Sequence, residues 1–159
     1  MAGVCKIIVW AGLAMLCLAG CDQGLGPDQQ GSEVTRASLE GQWLVINYWA
    51  EWCGPCRREI PQLNALASPT AQEKVQVLGV NFDQLQGQDL LKAAQRMGIA
   101  YRVLAQDPAQ ALHLPAAQGL PVTFILDPAR QVRATLLGEQ TAAGLRLQLA
   151  TLAGQQAGQ

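Results

Sequence analysis

Histidine is nearly missing from this chain: His113 is the only one among 159 residues. A structural zinc site normally takes four Cys or His ligands, and one histidine far from any cysteine cluster cannot complete one. Charge is scarce as well, with Asp, Glu, Lys and Arg making up 14 % of residues and a formal net charge of -1. That balance gives no electrostatic case for nucleic acid or for an anionic membrane surface. No apolar run reaches the roughly 20 residues needed to cross a bilayer. What the chain does have is apolar bulk. Half of its residues are hydrophobic, enough to close the core of one domain.

The first twenty residues differ from the rest. Lys6 is the only charge before Asp22, and an apolar run extends from Ile7 to Leu18. That length fits the h-region of a secretory signal peptide. The run ends in Leu18-Ala19-Gly20-Cys21, which resembles a bacterial lipobox. The resemblance implies cleavage before Cys21 and a lipid on its sulfur. An ordinary secretory peptide and an uncleaved helical anchor are the alternatives, and all three place the domain outside the cytoplasm. Asp22 resembles the enterobacterial signal for retention at the inner membrane. The expected organisation is a leader over 1–20, a lipidated flexible tether over 21–37 and a folded domain over 38–159. The tether is polar and rich in Gly and Gln, with no apolar period. Sixteen such residues would span roughly 20–25 Å on average and about 50 Å at most.

The cysteines then sort themselves. Cys5 and Cys17 leave with the leader and Cys21 takes the lipid. Cys53 and Cys56 remain, three apart, in an oxidising compartment. A structural disulfide framework needs widely spaced partners, and these are not.

The folded part alternates strand and helix patterns. Trp43–Ala50 is an almost unbroken apolar and aromatic run, as expected of a strand buried on both faces. A helix is expected from Cys53 to about Ser68, a strand over 75–80, and a helix over 89–97 stopped by Gly98. Ile99–Leu104 is expected as a strand and Pro108–Leu114 as a short helix. Val122–Leu126 and Val132–Leu137 flank a turn at 127–130 and read as a β-hairpin. Thr141 can cap a last helix carrying Leu145, Leu149 and Leu152 on one face. This order implies an α/β fold with a mixed central sheet and helices on both sides.

The most informative stretch is Trp52-Cys53-Gly54-Pro55-Cys56. It follows a buried strand and opens a helix, the context that makes C-x-x-C a redox motif. Cys56, Ile60, Leu63 and Ala67 recur at helical spacing, so Cys56 belongs to the buried face. Cys53 falls at the helix start, where free N–H groups and the dipole favour a thiolate. The dipole supplies about 0.3–1 kcal/mol, up to roughly 2 where sheltered. Pro55 suits the first turn, where its missing N–H has no partner to lose. Cys53 is therefore the expected nucleophile and Cys56 the expected resolving thiol.

The stretch NYWAEWCGPCRREIP resembles the thioredoxin active site, and more specifically the TlpA/ResA/DsbE-like envelope thiol–disulfide oxidoreductases. The resemblance covers about residues 38–154 and implies a thioredoxin fold with an extra α-β unit at about 84–102. It implies that Pro121 follows a cis peptide bond against the cysteine pair, and that the Leu120 backbone pairs with the substrate chain. Pro61 matches the proline that bends the first helix of the family. Asn47 stands where thioredoxin proper has a buried aspartate. Glu59 matches a glutamate near the cysteines. It either tunes thiol acidity or is a solvated glutamate paired with a nearby arginine, and both readings stay open. No cofactor is implied beyond the Cys53–Cys56 disulfide itself, and no metal.

Trp52 is expected as an exposed platform for partner proteins rather than as a lid on the core. Trp43 and Trp49 are expected in the core, and Arg57 and Arg58 on the solvated helix surface. The expected clients are oxidised envelope proteins such as apocytochrome c, with electrons from a membrane donor of the DsbD/CcdA kind. A monomer is expected. A copper-binding module is less favoured, because thioredoxin-fold copper chaperones generally carry C-x-x-x-C. Haem attachment fails because Arg57, not histidine, follows Cys56. An oxidase or isomerase remains the alternative, and the Gly54-Pro55 dipeptide, which resembles that of reducing thioredoxins, favours a reductase.

Overall fold

A computed structural model describes residues 24–68 and 74–157. The leader, Cys21 and Asp22 lie outside the described residues. The sheet has five strands: β1 (Trp43–Trp49), β2 (Val75–Asn81), β3 (Arg102–Leu104), β4 (Val122–Leu126) and β5 (Val132–Leu137). Their spatial order is β3-β2-β1-β4-β5. β1 runs parallel to β2 and β2 to β3, whereas β1–β4 and β4–β5 are antiparallel. The helices are α1 (Gly54–Ala67), α2 (Gly87–Arg96) and α3 (Ala142–Ala157), with a short 3₁₀ turn at Ala37–Leu39.

β1 lies at the centre with both faces covered, which explains its unbroken apolar sequence. Leu44, Ile46 and Tyr48 point to one face and pack with Leu78, Phe124 and Leu126. Val45 and Trp49 point to the other. Trp49 meets Ile60 of α1 and Leu90 of α2, and Val45 shares a cluster with Leu63 of α1 and Leu145 of α3. The three α-helices thus gather on one face. The opposite face is closed by Val34, Leu39 and Leu112, so chain outside the helices does the work expected of a helix there. The 108–114 segment is a set of turns, in which His113 takes a left-handed φ of 52° that ends any helical run. The third strand is also shorter than expected. Ala100 leaves the sheet to donate to Asn64 Oδ1 of α1 at 2.8 Å.

The expected flexible tether is corrected more sharply. Residues 24–36 form a strap bonded to the domain. Leu25 N–H donates to Val34 O at 2.8 Å, and Val34 N–H to Gly26 O at 2.9 Å. Gln29 exchanges bonds with β3: its N–H donates to Val103 O, and its Oε1 accepts from Val103 N–H at 2.7 Å. Asp28 accepts from the N–H groups of Gln30 and Ser32, each at 2.9 Å, and pairs with Arg102 at 2.8 Å. Burial raises the pKa of Asp28, but these donors and Arg102 outweigh it and leave it below the usual value. The strap escapes a search for apolar period because polar groups hold it and Val34 alone is fully buried. Asp28→Ala removes the acceptor at the centre of this array and is expected to cost about 1.5–3 kcal/mol, measured by denaturant unfolding.

Candidate active site

α1 begins where β1 ends, so the cysteines sit at the carboxyl end of the central strand. Cys53 is the N-cap, with Gly54 and Pro55 in the first turn. The Cys56 N–H donates to Cys53 Sγ at 3.2 Å. That donor remains available to a Cys53 thiolate and adds to the pull of the helix dipole. The two sulfurs are joined, at 2.04 Å, as a disulfide. Cys56 is fully buried, while Cys53 keeps 4 % exposure. Cys53 is therefore less open than expected, yet it is the member of the pair that solvent still touches.

Two walls frame that opening. On one side Trp52 is 67 % exposed, its Nε1 donating to the Asp83 carboxylate at 3.1 Å. Its ring meets the edge of Phe82 at 6.3 Å. At that exposure Trp52 is not a lid on the core. On the other side the Leu120–Pro121 peptide bond is cis, and Leu120 packs on the cluster that holds both cysteines. Beyond Phe82 lies a cavity of about 400 Å³ bordered by Tyr48, Pro115, Ala116 and Ala117.

Beneath α1 is a polar cluster sealed from solvent. Asn47 of β1 and Thr123 of β4 are direct neighbours in the antiparallel register. Asn47 Nδ2 donates to Glu59 Oε1 at 2.7 Å and to Thr123 Oγ1 at 3.1 Å. Gln140 N–H donates to Glu59 Oε2 at 3.1 Å. Glu59 is only 1 % exposed. Its place three residues after Cys56 puts both on the buried helix face. Burial raises its pKa to about 7 against the Asn47 and Gln140 donors, with the nearby Glu139 adding to the rise. The solvated reading of Glu59 is overturned. The arginine that pairs nearby is Arg58, which binds Glu139 on the surface.

Arg57 and Arg58 are exposed, as expected, with Arg57 donating to Glu51 O. His113 is an exposed loop residue outside the cysteine cluster. Among the described residues, no three His, Cys, Asp or Glu side chains are grouped to hold a metal ion. Sequence reasoning missed Thr123, Gln140 and Phe82. Thr123 had one visible signal, a polar residue inside the apolar run VTFIL.

The AhpC/TSA family model matches residues 23–135. The chain belongs to that family. It is 27 % identical over 125 residues to the thiol-disulfide oxidoreductase ResA of Geobacillus thermodenitrificans, covering 79 % of this chain and 71 % of that protein. It is 34 % identical over 113 residues to the thiol:disulfide interchange protein HelX of Rhodobacter capsulatus, covering 67 % and 59 %. The chain thus spans about two thirds of the length of these relatives. Among solved structures it is similar to a DsbF homologue from Corynebacterium diphtheriae, with TM-score 0.66, 26 % identity and coverage of 79 % and 82 %. It is also similar to a putative thiol:disulfide interchange protein DsbE from Chlorobium tepidum, with TM-score 0.61, 29 % identity and coverage of 80 % and 89 %. The AhpC/TSA chain has the thioredoxin fold with the extra α2–β3 unit, and it carries the Cys53–Cys56 disulfide of a thiol–disulfide oxidoreductase.

Proposed function

We propose that this protein is an envelope thiol–disulfide oxidoreductase that reduces disulfides of periplasmic proteins, with apocytochrome c as a representative client. The observation that carries the reading is the asymmetric cysteine pair. Cys53 caps α1 and keeps some exposure, and Cys56 lies sealed behind it on the face that holds Glu59.

In the reduced form, Cys53 thiolate attacks a client disulfide. A Cys53–client disulfide forms and one client sulfur leaves as a thiolate. Cys56 then loses its proton to Glu59 and attacks Cys53 Sγ. The Cys53–Cys56 bond forms, the client's second sulfur leaves, and two electrons have passed to the client. Trp52, Phe82 and the Leu120–Pro121 backbone supply the docking walls, with the client chain lying beside Leu120 like an added strand. A membrane donor of the DsbD/CcdA kind returns the electrons. The lipobox-like sequence supports attachment through Cys21, and Asp22 supports the periplasmic face of the inner membrane. Among the described residues no helix is long and apolar enough to cross a membrane.

The direction of electron flow is tested by equilibrating the protein with glutathione buffers. A reductase is expected near the thioredoxin value of about -270 mV, and a value near about -120 mV would make it an oxidant.

A further inference from the structure

Asn47 stands between two groups that can each exchange the roles of donor and acceptor. Its Nδ2 donates to Glu59 Oε1 and to Thr123 Oγ1, while its Oδ1 is buried without a hydrogen-bond partner. This arrangement suits an ionised Glu59, which accepts only. It does not suit a protonated one. A proton on Oε2 finds no acceptor, because the group bonded to that oxygen is the Gln140 N–H, itself a donor. On Oε1 its polar neighbour is the Asn47 NH₂, again a donor that cannot accept it.

A half-turn of the Asn47 amide removes the conflict. Its oxygen and nitrogen are nearly equal in size, and the terminal torsion is broadly two-fold. After the turn, Oδ1 accepts from the Glu59 hydroxyl. The Thr123 hydroxyl swings to donate to that same oxygen. The atom without a partner becomes Nδ2 in place of Oδ1, so the two arrangements strand one polar atom each.

We propose that Asn47 is a positioning residue whose side-chain amide turns over, together with the Thr123 hydroxyl, each time Glu59 gains or loses a proton. The inference rests on Glu59 as the proton partner of Cys56. Its chemical sense is that a buried carboxyl gains a matched neighbour in both protonation states. An aspartate at 47 accepts only, and an aliphatic residue does neither. The other groups facing Glu59 do not turn over with it. They are Cys56 on its own helix, Glu139 held by Arg58, and the buried Tyr101, which feels the charge of Glu59.

The test is a pH titration of the isotope-labelled full chain in detergent micelles, read by NMR and needing no substitution. The Asn47 side-chain NH₂ signals should change environment with the same midpoint as the Glu59 carboxyl carbon, and Asn47 NH₂ contacts to Thr123 should be lost below it. If Glu59 titrates while the Asn47 amide keeps its contacts, the turnover is refuted and the role of Glu59 stands. If Glu59 fails to titrate between about pH 5 and 9, where a buried carboxyl can be pushed, both fall. A second arm uses Asn47→Asp, which should raise the proton affinity of Glu59 about tenfold, one pKa step. The pH profile of Cys56 alkylation in the reduced protein should move upward with it. An unmoved profile removes Glu59 as the proton partner of Cys56, and the proposal falls with it, whereas the NMR arm alone can refute the turnover.

Discussion

Replacing Cys56 by serine is expected to leave the protein covalently joined to its clients through Cys53. Attack by Cys53 needs only the open side of the pair, and Cys53 is the cysteine that retains exposure. Release needs the buried sulfur, which serine removes without disturbing the packing of Ile60 and Leu63 on the same face. The adducts should resolve on a non-reducing gel, and mass spectrometry should identify the partners. Cys53→Ser should trap at least about tenfold fewer, because Cys56 is enclosed and lacks the helix-start donors that lower a thiol pKa. Equal trapping by both variants would overturn the assignment of nucleophile and resolving thiol.

Glu59→Gln should make the protein slower and more stable at once. General-base assistance contributes about 10²–10⁴ in rate. The Cys56 step at neutral pH should therefore fall by about 10², and its rise through about pH 7 should flatten. The stability effect has the opposite sign. A carboxyl that ionises near 7 when folded, but near about 4.3 when unfolded, disfavours the native state as pH climbs between those values. Wild type should lose about 3 kcal/mol over that interval, and Glu59→Gln should not. Unfolding of the oxidised proteins at pH 4 and pH 8 measures the difference. A variant equally slow and equally destabilised at both would place Glu59 in packing alone.

Much of this was legible in the sequence, for reasons that differ by element. β1 announced itself because burial on both faces leaves a continuous apolar run. The cysteine pair was visible because the redox geometry needs a fixed spacing at a helix start. Glu59 was marked by position, but its burial was not, since a charged residue on a helix says nothing about what covers it. The cluster around it, Asn47, Thr123 and Gln140, comes from three distant segments: strand register pairs Asn47 with Thr123, and the turn after β5 brings in Gln140. The strap over 24–36 was misread for a related reason. A segment held by backbone bonds to a strand edge needs no apolar pattern, and its Gly and Gln composition matches that of a linker.

The same strap has a consequence for how copies of this protein meet. Along β3 the outer border of the sheet is already occupied by residues 27–29, through the Asp28 bridge to Leu104 and the bonds of Gln29. β5 forms the opposite border. Stacking sheets side by side into an unlimited ribbon takes two open borders on every molecule. This one offers only β5, so two molecules can join there but no third can extend the row. Wherever such molecules are concentrated, a strap of their own chain, residues 24–36, protects them from fibre growth.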